Sequence, residues 1–504
     1  MKQRHPLIPG LLGFELVRTQ PLGLQIVKAI KDGILDGTLP RGLRLPSSRE
    51  LSHQLGCSRN VVRQVYDQLI AEAYLETVTR SGTVVCKSLP RERFARKLTG
   101  PRERQSRWAD ISNYGMKASA LPLYQVTPAP TFTLFETAVD SFPFDIWAKL
   151  FVRHWRNPRV EMLRDHDPAG LLALRKAISS WVLERRGITC HPDQVIICTG
   201  EATAYQLLMH FLIDPGDEVW IEEPSFLIPI TSIKLAGGVP VSIPTDAGGI
   251  VVAAGCQKAP RAKIAIVSPW GIFFSMGQAM SVERRRALLE WASQADSLII
   301  EDDINVEFRY DGRPLPAIAA LDYDGRVIYA GTFSNYIFPS LRMSYLIVPP
   351  ALAAPLTSLR FKVEFHPPIT MQPVLASFIE DGHLATHARR MQRVYTARRQ
   401  ALIRACEQYL PNIARLRPIK AGLTAVLELT GKAKRLNDKD LAAACAKAGM
   451  GPTPLSMFYL GEPPCAGLVL GFGGTDESHL VDGVRRLAEI IGMQMKQEVV
   501  TRDR

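Results

Sequence analysis

Apolar residues recur every four positions at Leu22, Ile26, Ile30 and Ile34, the spacing of one buried helical face. Gly37 supplies a stop, so the pattern predicts a first helix over residues 22–37. Ser47-Ser48-Arg49-Glu50 then has the spacing of a capping box, in which a hydroxyl and a carboxylate each satisfy an open N–H of a helix start. A second helix begins there and ends at Gly56. Ser58 suits the cap of a third helix, with Val62, Val65, Tyr66 and Leu69 on its buried side. Leu75 to Val85, with Arg80-Ser81-Gly82 at its centre, reads as a hairpin. Periodicity is lost over residues 88–130, which are rich in Pro, Arg and Ser and read as a linker. From residue 131, apolar runs such as 194–198, 218–221, 263–267, 297–300 and 326–329 alternate with amphipathic helical stretches such as 282–292. Such alternation implies a mainly parallel α/β sheet. The reading is therefore one domain over 17–87, a linker over 88–130 and a second domain over 131–498.

Composition agrees with two domains. At 504 residues the chain exceeds one ordinary core, and 46% hydrophobic with 22% charged residues is a soluble, globular balance. No run of 18 apolar residues predicts a membrane span, and the N-terminal stretch is too short and too broken by Pro and Gly for a signal peptide. A cytoplasmic location is expected. The eight cysteines are scattered without a C-x-x-C pair, so neither a disulfide framework nor a metal site is expected. Charge adds something the pattern does not show. Residues 1–107 hold 19 Lys and Arg against 9 Asp and Glu, a net of +10 out of +12 for the chain. A basic end on a nearly neutral body is the footprint of a nucleic-acid-binding module.

Helix, tight glycine turn, helix and hairpin make a winged helix-turn-helix, whose recognition helix enters the major groove of double-stranded DNA by its N-terminal residues. Here those are Ser58, Arg59, Asn60 and Val61, with Arg63 further along. Arginine can read guanine bidentately and asparagine adenine. Arg49 is placed to meet phosphate or a base edge, and Arg80 and Gly82 at the wing tip to approach the minor groove. The segment resembles the winged helix-turn-helix of the GntR family of bacterial regulators. The matching residues are Ile34, Gly37, Leu39-Pro40, Gly42, Arg44-Leu45-Pro46-Ser47, Arg49 and Leu51, then Leu55-Gly56, Ser58-Arg59 and Val62, then Leu75 through Gly82-Thr83-Val84-Val85. The resemblance implies Arg49, Arg59 and Arg63 as DNA contacts.

Residues 131–495 resemble a fold-type-I aminotransferase as it occurs in the MocR branch of that family. The motifs are Asp167-Pro168-Ala169-Gly170, Thr199-Gly200, Asp214-Pro215-Gly216-Asp217, Glu223-Pro224-Ser225-Phe226, Glu301-Asp302-Asp303, Glu307-Phe308-Arg309-Tyr310 and Gly331-Thr332-Phe333-Ser334-Asn335 through Arg342. The fold class implied is α/β, a winged helix-turn-helix joined to a large domain like the pyridoxal-phosphate-dependent transferases. The resemblance implies a cofactor site in which Asp302 pairs with the pyridinium nitrogen and Phe226 stacks on the ring. The phosphate then falls to the backbone of Gly200, Glu201 and Ala202 with Thr332, Ser334 and Arg342. Two positions depart from the pattern: Ile304 stands where a tyrosine bonds the ring hydroxyl, and Asn335 where a lysine forms the Schiff base.

An amide nitrogen is neither a nucleophile nor a general base, so no catalytic residue is assigned and pyridoxal phosphate is expected to bind non-covalently at most. The turn Ser268-Pro269-Trp270-Gly271-Ile272-Phe273-Phe274 is apolar, and the strand Gly467–Phe472 has no arginine for a substrate carboxylate. Each retained residue also has a plainer use. Asp302 and Asp303 suit capping after the strand, Arg342 an ion pair with either, and Phe226 the core. The expected function is a DNA-binding transcription regulator, homodimeric by resemblance, whose second domain senses a small anionic effector or only dimerises. The alternative is a working aminotransferase with an appended DNA module.

Overall fold

The computed structural model describes residues 21–79, 82–87, 111–121, 131–270, 279–303, 308–310 and 315–502. The chain divides into two compact units, residues 1–112 and 113–504.

In the first unit, α1 (Leu22–Leu35) buries Ile26, Val27, Ile30 and Ile34, and Gly37 follows in the left-handed conformation that only glycine adopts without strain. Helix α2 (Ser48–Gln54) starts on the Ser47 hydroxyl, which accepts from the Glu50 N–H at 3.2 Å. Helix α3 (Arg59–Ala71) starts on the Ser58 hydroxyl, which accepts from the Val61 N–H at 3.4 Å. The four apolar residues expected on the buried side of α3 are the four that are buried. The wing is an antiparallel pair, β1 (Leu75–Val78) and β2 (Gly82–Val85), with Leu75 opposite Val85 and Val78 opposite Gly82. Leu39, Leu45, Leu51, Leu69, Leu75 and Val85 complete a core shared by all five elements. Each such side chain contributes about 1.5–3 kcal/mol by leaving water. The Tyr66 hydroxyl donates to the Pro46 carbonyl at 2.8 Å and pins α3 to the loop that feeds α2.

The second unit opens with α4 (Asn113–Ser119), a short helix inside the span read as linker. Helices α5 (Phe144–Trp155) and α6 (Leu172–Arg186) precede the main sheet. Its elements follow in alternation: β3 (Val195–Cys198), α7 (Glu201–Leu212), β4 (Glu218–Glu223), α8 (Leu227–Leu235), β5 (Val239–Asp246), β6 (Gly249–Ile250), α9 (Val252–Lys258), β7 (Ile264–Val267), α10 (Val282–Gln294), β8 (Leu298–Asp302), β9 (Val327–Thr332) and β10 (Ser344–Ile347). The spatial order is β3-β10-β9-β8-β7-β4-β5-β6. Strands β5, β4, β7, β8 and β9 are parallel, while β10 runs antiparallel between β9 and β3. The central strands are unbroken apolar runs because helices cover both faces, and alternation with polar residues would bury the polar ones.

Beyond the sheet come α11 (Pro350–Glu364), α12 (Gln372–Glu380) and the long α13 (His383–Tyr409). A smaller antiparallel sheet of β11 (Ala414–Leu416), β12 (Thr424–Leu429), β13 (Thr453–Pro454) and β14 (Gly467–Gly471) packs with α14 (Asp438–Lys447) and α15 (Glu477–Arg502) over its own core. Among the described residues no helix is long and apolar enough to cross a membrane.

Candidate functional site

The first unit presents an exposed polar row. Arg49 on α2, then Arg59, Asn60 and Arg63 on α3, are exposed, as are Ser58 and the wing residue Gly82, while Val61 is half-buried. The Arg59 Nε reaches the Ser48 hydroxyl at 3.4 Å, so the starts of the two helices lie side by side. Arg80 and Ser81 fall outside the described residues. Arg44, exposed on the strand segment that bridges to Val84, lies over the wing, its guanidinium within 3.8 Å of where a Cβ on Gly82 would stand. Arg49, Arg59 and Arg63 are thus exposed on α2 and α3, with Arg44 against the wing.

In the second unit a cavity of about 620 Å³ opens at the C-terminal end of β9 and the N-terminus of α7, where ligands of open α/β sheets bind. Thr332, Ser334, Asn335, Arg342, Gly200 and Glu201 line one side. Gly200 has φ +92°, and a Cβ there would stand 3.0 Å from the Arg342 guanidinium, so only glycine lets the arginine lie against the helix start. Arg342 itself holds φ +47°, an uncommon conformation for a side chain of its size. The Thr332 hydroxyl donates to the Met343 carbonyl at 3.3 Å and accepts from the Ser334 N–H at 3.2 Å, while the Ser334 hydroxyl accepts from the Met343 N–H at 3.2 Å. Both hydroxyls are thus fixed on the loop that carries Asn335.

Further carboxyls lie behind this lining. Asp302 is buried at the end of β8 and accepts from the Tyr205 hydroxyl at 2.7 Å. Glu201, Tyr205, Asp302 and Thr332 meet around a void of about 10 Å³, room for one water. Burial, and then the negative Asp302, push the Glu201 carboxyl well above the usual range, and the Arg342 guanidinium only partly offsets them. Burial likewise pushes Glu222, which accepts from the Ser268 N–H at 3.0 Å, up to about 8. Asp303 points the other way. It is buried against the Arg186 Nε at 2.6 Å and accepts from the Tyr329 hydroxyl, while Arg186 also donates to the Tyr336 hydroxyl at 3.1 Å. Arg342 forms no ion pair with Asp302 or Asp303 among the described residues. Phe226 packs in an apolar cluster with Leu134, Trp270 and Phe458, its ring 5.7 Å from that of Phe135.

Comparison with known proteins matches both units. Residues 22–85 match the family model for bacterial regulatory proteins of the gntR family, and residues 161–465 that for aminotransferase class I and II. A probable rhizopine catabolism regulatory protein MocR of Rhizobium meliloti is 34% identical over 93% of this chain and 93% of its own length. The HTH-type pyridoxine biosynthesis transcriptional regulator PdxR of Corynebacterium glutamicum is 32% identical over 90% and 93%. The chain belongs to the MocR branch of the GntR family. Like those relatives, this MocR-type chain is a DNA-binding transcription regulator. Its second unit carries the aminotransferase fold. A multiple substrate aminotransferase from Thermococcus profundus superposes with a TM-score of 0.67, at 27% identity, over 77% of this chain and 98% of the other.

That fold implies pyridoxal phosphate as the family's cofactor. In this MocR-type chain the hydroxyls of Thr332 and Ser334, the Arg342 guanidinium and the first amides of α7 suit a phosphate. Two groups do not fit. Asn335 offers the aldehyde no nucleophile, and the Glu201 side chain lines the seat itself. Of the positions expected to make the pocket apolar, Trp270 is buried, while Ile304 and residues 271–274 lie outside the described residues. The remaining walls come from segments that sequence patterns do not connect: Thr133 to Glu136, and Lys439 to Met457. Tyr205, four residues after Glu201, also escaped notice; its one-turn spacing from the helix start is the signal that points it at Asp302.

Proposed function

We propose that the second domain is a sensor that holds a small anionic ligand without a covalent bond, and that occupancy sets the DNA affinity of two readers in a homodimer. One observation carries this: Asn335 stands in the cavity wall beside Thr332, Ser334 and Arg342. The anion donors remain where the nucleophile does not. Any hold on pyridoxal phosphate is then non-covalent. The full-length regulators MocR and PdxR, similar over nine-tenths of this chain, support a regulatory role.

The test is direct. Purified full-length protein is incubated with pyridoxal phosphate, treated with borohydride, and weighed under native and denaturing conditions. No added mass survives denaturation; a surviving adduct sinks the proposal. In parallel, gel shifts on DNA flanking the chain's own gene, at stated salt, show a sequence-specific complex. No specific shift at moderate salt refutes the regulatory half.

A further inference from the structure

The cavity bears on which ligands it admits, given the reading of it as a ligand pocket. A phosphate seat on this fold has three parts: amides at a helix start, hydroxyls from the neighbouring strand end, and an arginine. All three are present as α7, Thr332 with Ser334, and Arg342. The first side chain of α7 is a carboxyl. Glu201 lines the same cavity as those donors and also the small void that holds Asp302 and Tyr205. It feels Asp302 as a like charge and Arg342 as an opposite one, and the Arg342 guanidinium lies 3.0 Å from where a Cβ on the preceding Gly200 would stand. Glu222, near Asp302, is a third acid behind them, outside the cavity lining. A helix start and one arginine facing these acids give a seat without the positive surplus that a dianion needs.

We infer that Glu201 fills the phosphate seat with a carboxyl of the chain's own, so that the ligand admitted is unphosphorylated. It is a small carboxylate that reaches Arg342 and brings Glu201 a cationic or hydrogen-donating group. A phosphate ester meets the Glu201 carboxyl at the place where its charge would go, whereas an ammonium there pairs with that carboxyl. Lys439 and Glu136, across the cavity, offer the same pairing of charges to the ligand's far end. Glu201 is therefore the residue that sets specificity.

The matched probes are pyridoxamine and pyridoxamine phosphate, which share an ammonium and differ only in the phosphate, with inorganic phosphate as a third. Binding to the full chain at pH 8 is read by thermal shift and calorimetry. The wild-type protein binds the phosphorylated probe no more tightly than the unphosphorylated one. Glu201→Ser clears the carboxyl from the seat and gains on the order of 100-fold for the phosphorylated probe, the scale of one or two recovered charge-assisted hydrogen bonds. It also binds inorganic phosphate, and Arg342→Ala in that background abolishes the gain. An unchanged ratio in Glu201→Ser, or a gain that survives Arg342→Ala, overturns the inference. Circular dichroism checks that the variants fold. Should Glu201→Ser fail to fold, a wild-type preference for the phosphorylated probe of about 100-fold overturns it alone. A borohydride-trapped adduct would refute the non-covalent sensor while leaving this ratio to stand or fall by itself.

Discussion

Arg186→Met is the sharpest probe of what holds the end of β8 in place. The substitution keeps the aliphatic stem and removes the charge, leaving Asp303, only 2% exposed, with the Tyr329 hydroxyl and no cation within hydrogen-bond reach among the described residues. Removing one partner of a buried ion pair costs about 3–5 kcal/mol. With unfolding entropy of about 2.1 cal/mol/K per residue over residues 113–504, that loss lowers the midpoint of this unit by about 4–6 °C. The pH dependence has a definite sign. Burial already pushes the Asp303 carboxyl up, and the Arg186 guanidinium is the main group pulling it down. In the variant the folded-state pKa therefore rises further above the unfolded one. The penalty is full above that raised pKa and shrinks as pH falls toward the unfolded carboxylate range, where both states are protonated. Calorimetry at pH 8 and pH 5 reads both quantities. Adding Asp303→Leu removes the orphaned charge and recovers most of the loss, because an apolar pair of similar volume is nearly neutral. A single variant within about 1 °C of wild type at pH 8, or a double variant worse than the single, would refute the reasoning.

Three further outcomes follow from the same structure. Arg59→Ala, at the exposed start of α3, weakens specific DNA binding by about 10–100-fold in gel shifts and relaxes preference at one base position, whereas loss of a pure phosphate contact would weaken all sequences alike. Ser47→Ala removes the hydroxyl that accepts from Glu50 and costs the DNA-binding unit about 1 kcal/mol in denaturant melts, with Ser47→Asp restoring it. Glu222→Gln stabilises the second unit at alkaline pH but not in acid. Burial holds that carboxyl at about 8 against an ordinary 4.5, so its proton is kept on folding and the resulting stability is lost as pH rises through that interval. A wild-type melting profile flat from pH 5 to 9, equal to that of the variant, would contradict it.

The DNA-binding unit was almost wholly legible in the residues. Its helices are decided by interactions within a few positions: the Ser47 and Ser58 caps, the turn at Gly56, and the four-residue period of Ile26, Ile30 and Ile34. The strands of the second unit were legible for a related reason, since each apolar run is buried on both faces and carries its own signal. Helix α1 ends at Leu35, two residues short of the expected stop, because Gly37 lies past the end in a left-handed turn. The antiparallel β10 was not legible; its direction is set by residues 333–343, which turn the chain back so that Ser344 lies opposite Thr332. The site divides the same way. Asn335, Asp302 and Arg342 stood out as departures from, or agreements with, a family pattern.

What the sequence alone determined was therefore the list of chemical groups: a capped helix rich in arginine, and an aminotransferase-like domain that carries Asp302, Ser334, Asn335 and Arg342. Only the tertiary structure decided which groups meet. It gave Asp303 to Arg186 and Asp302 to Tyr205, partners 117 and 97 residues away. It closed the cavity with residues 133–136 and 439–457, and it set Glu201 among the anion donors. Local propensity acts over a turn or two of chain, whereas charge and burial act through space, and the site depends on the latter.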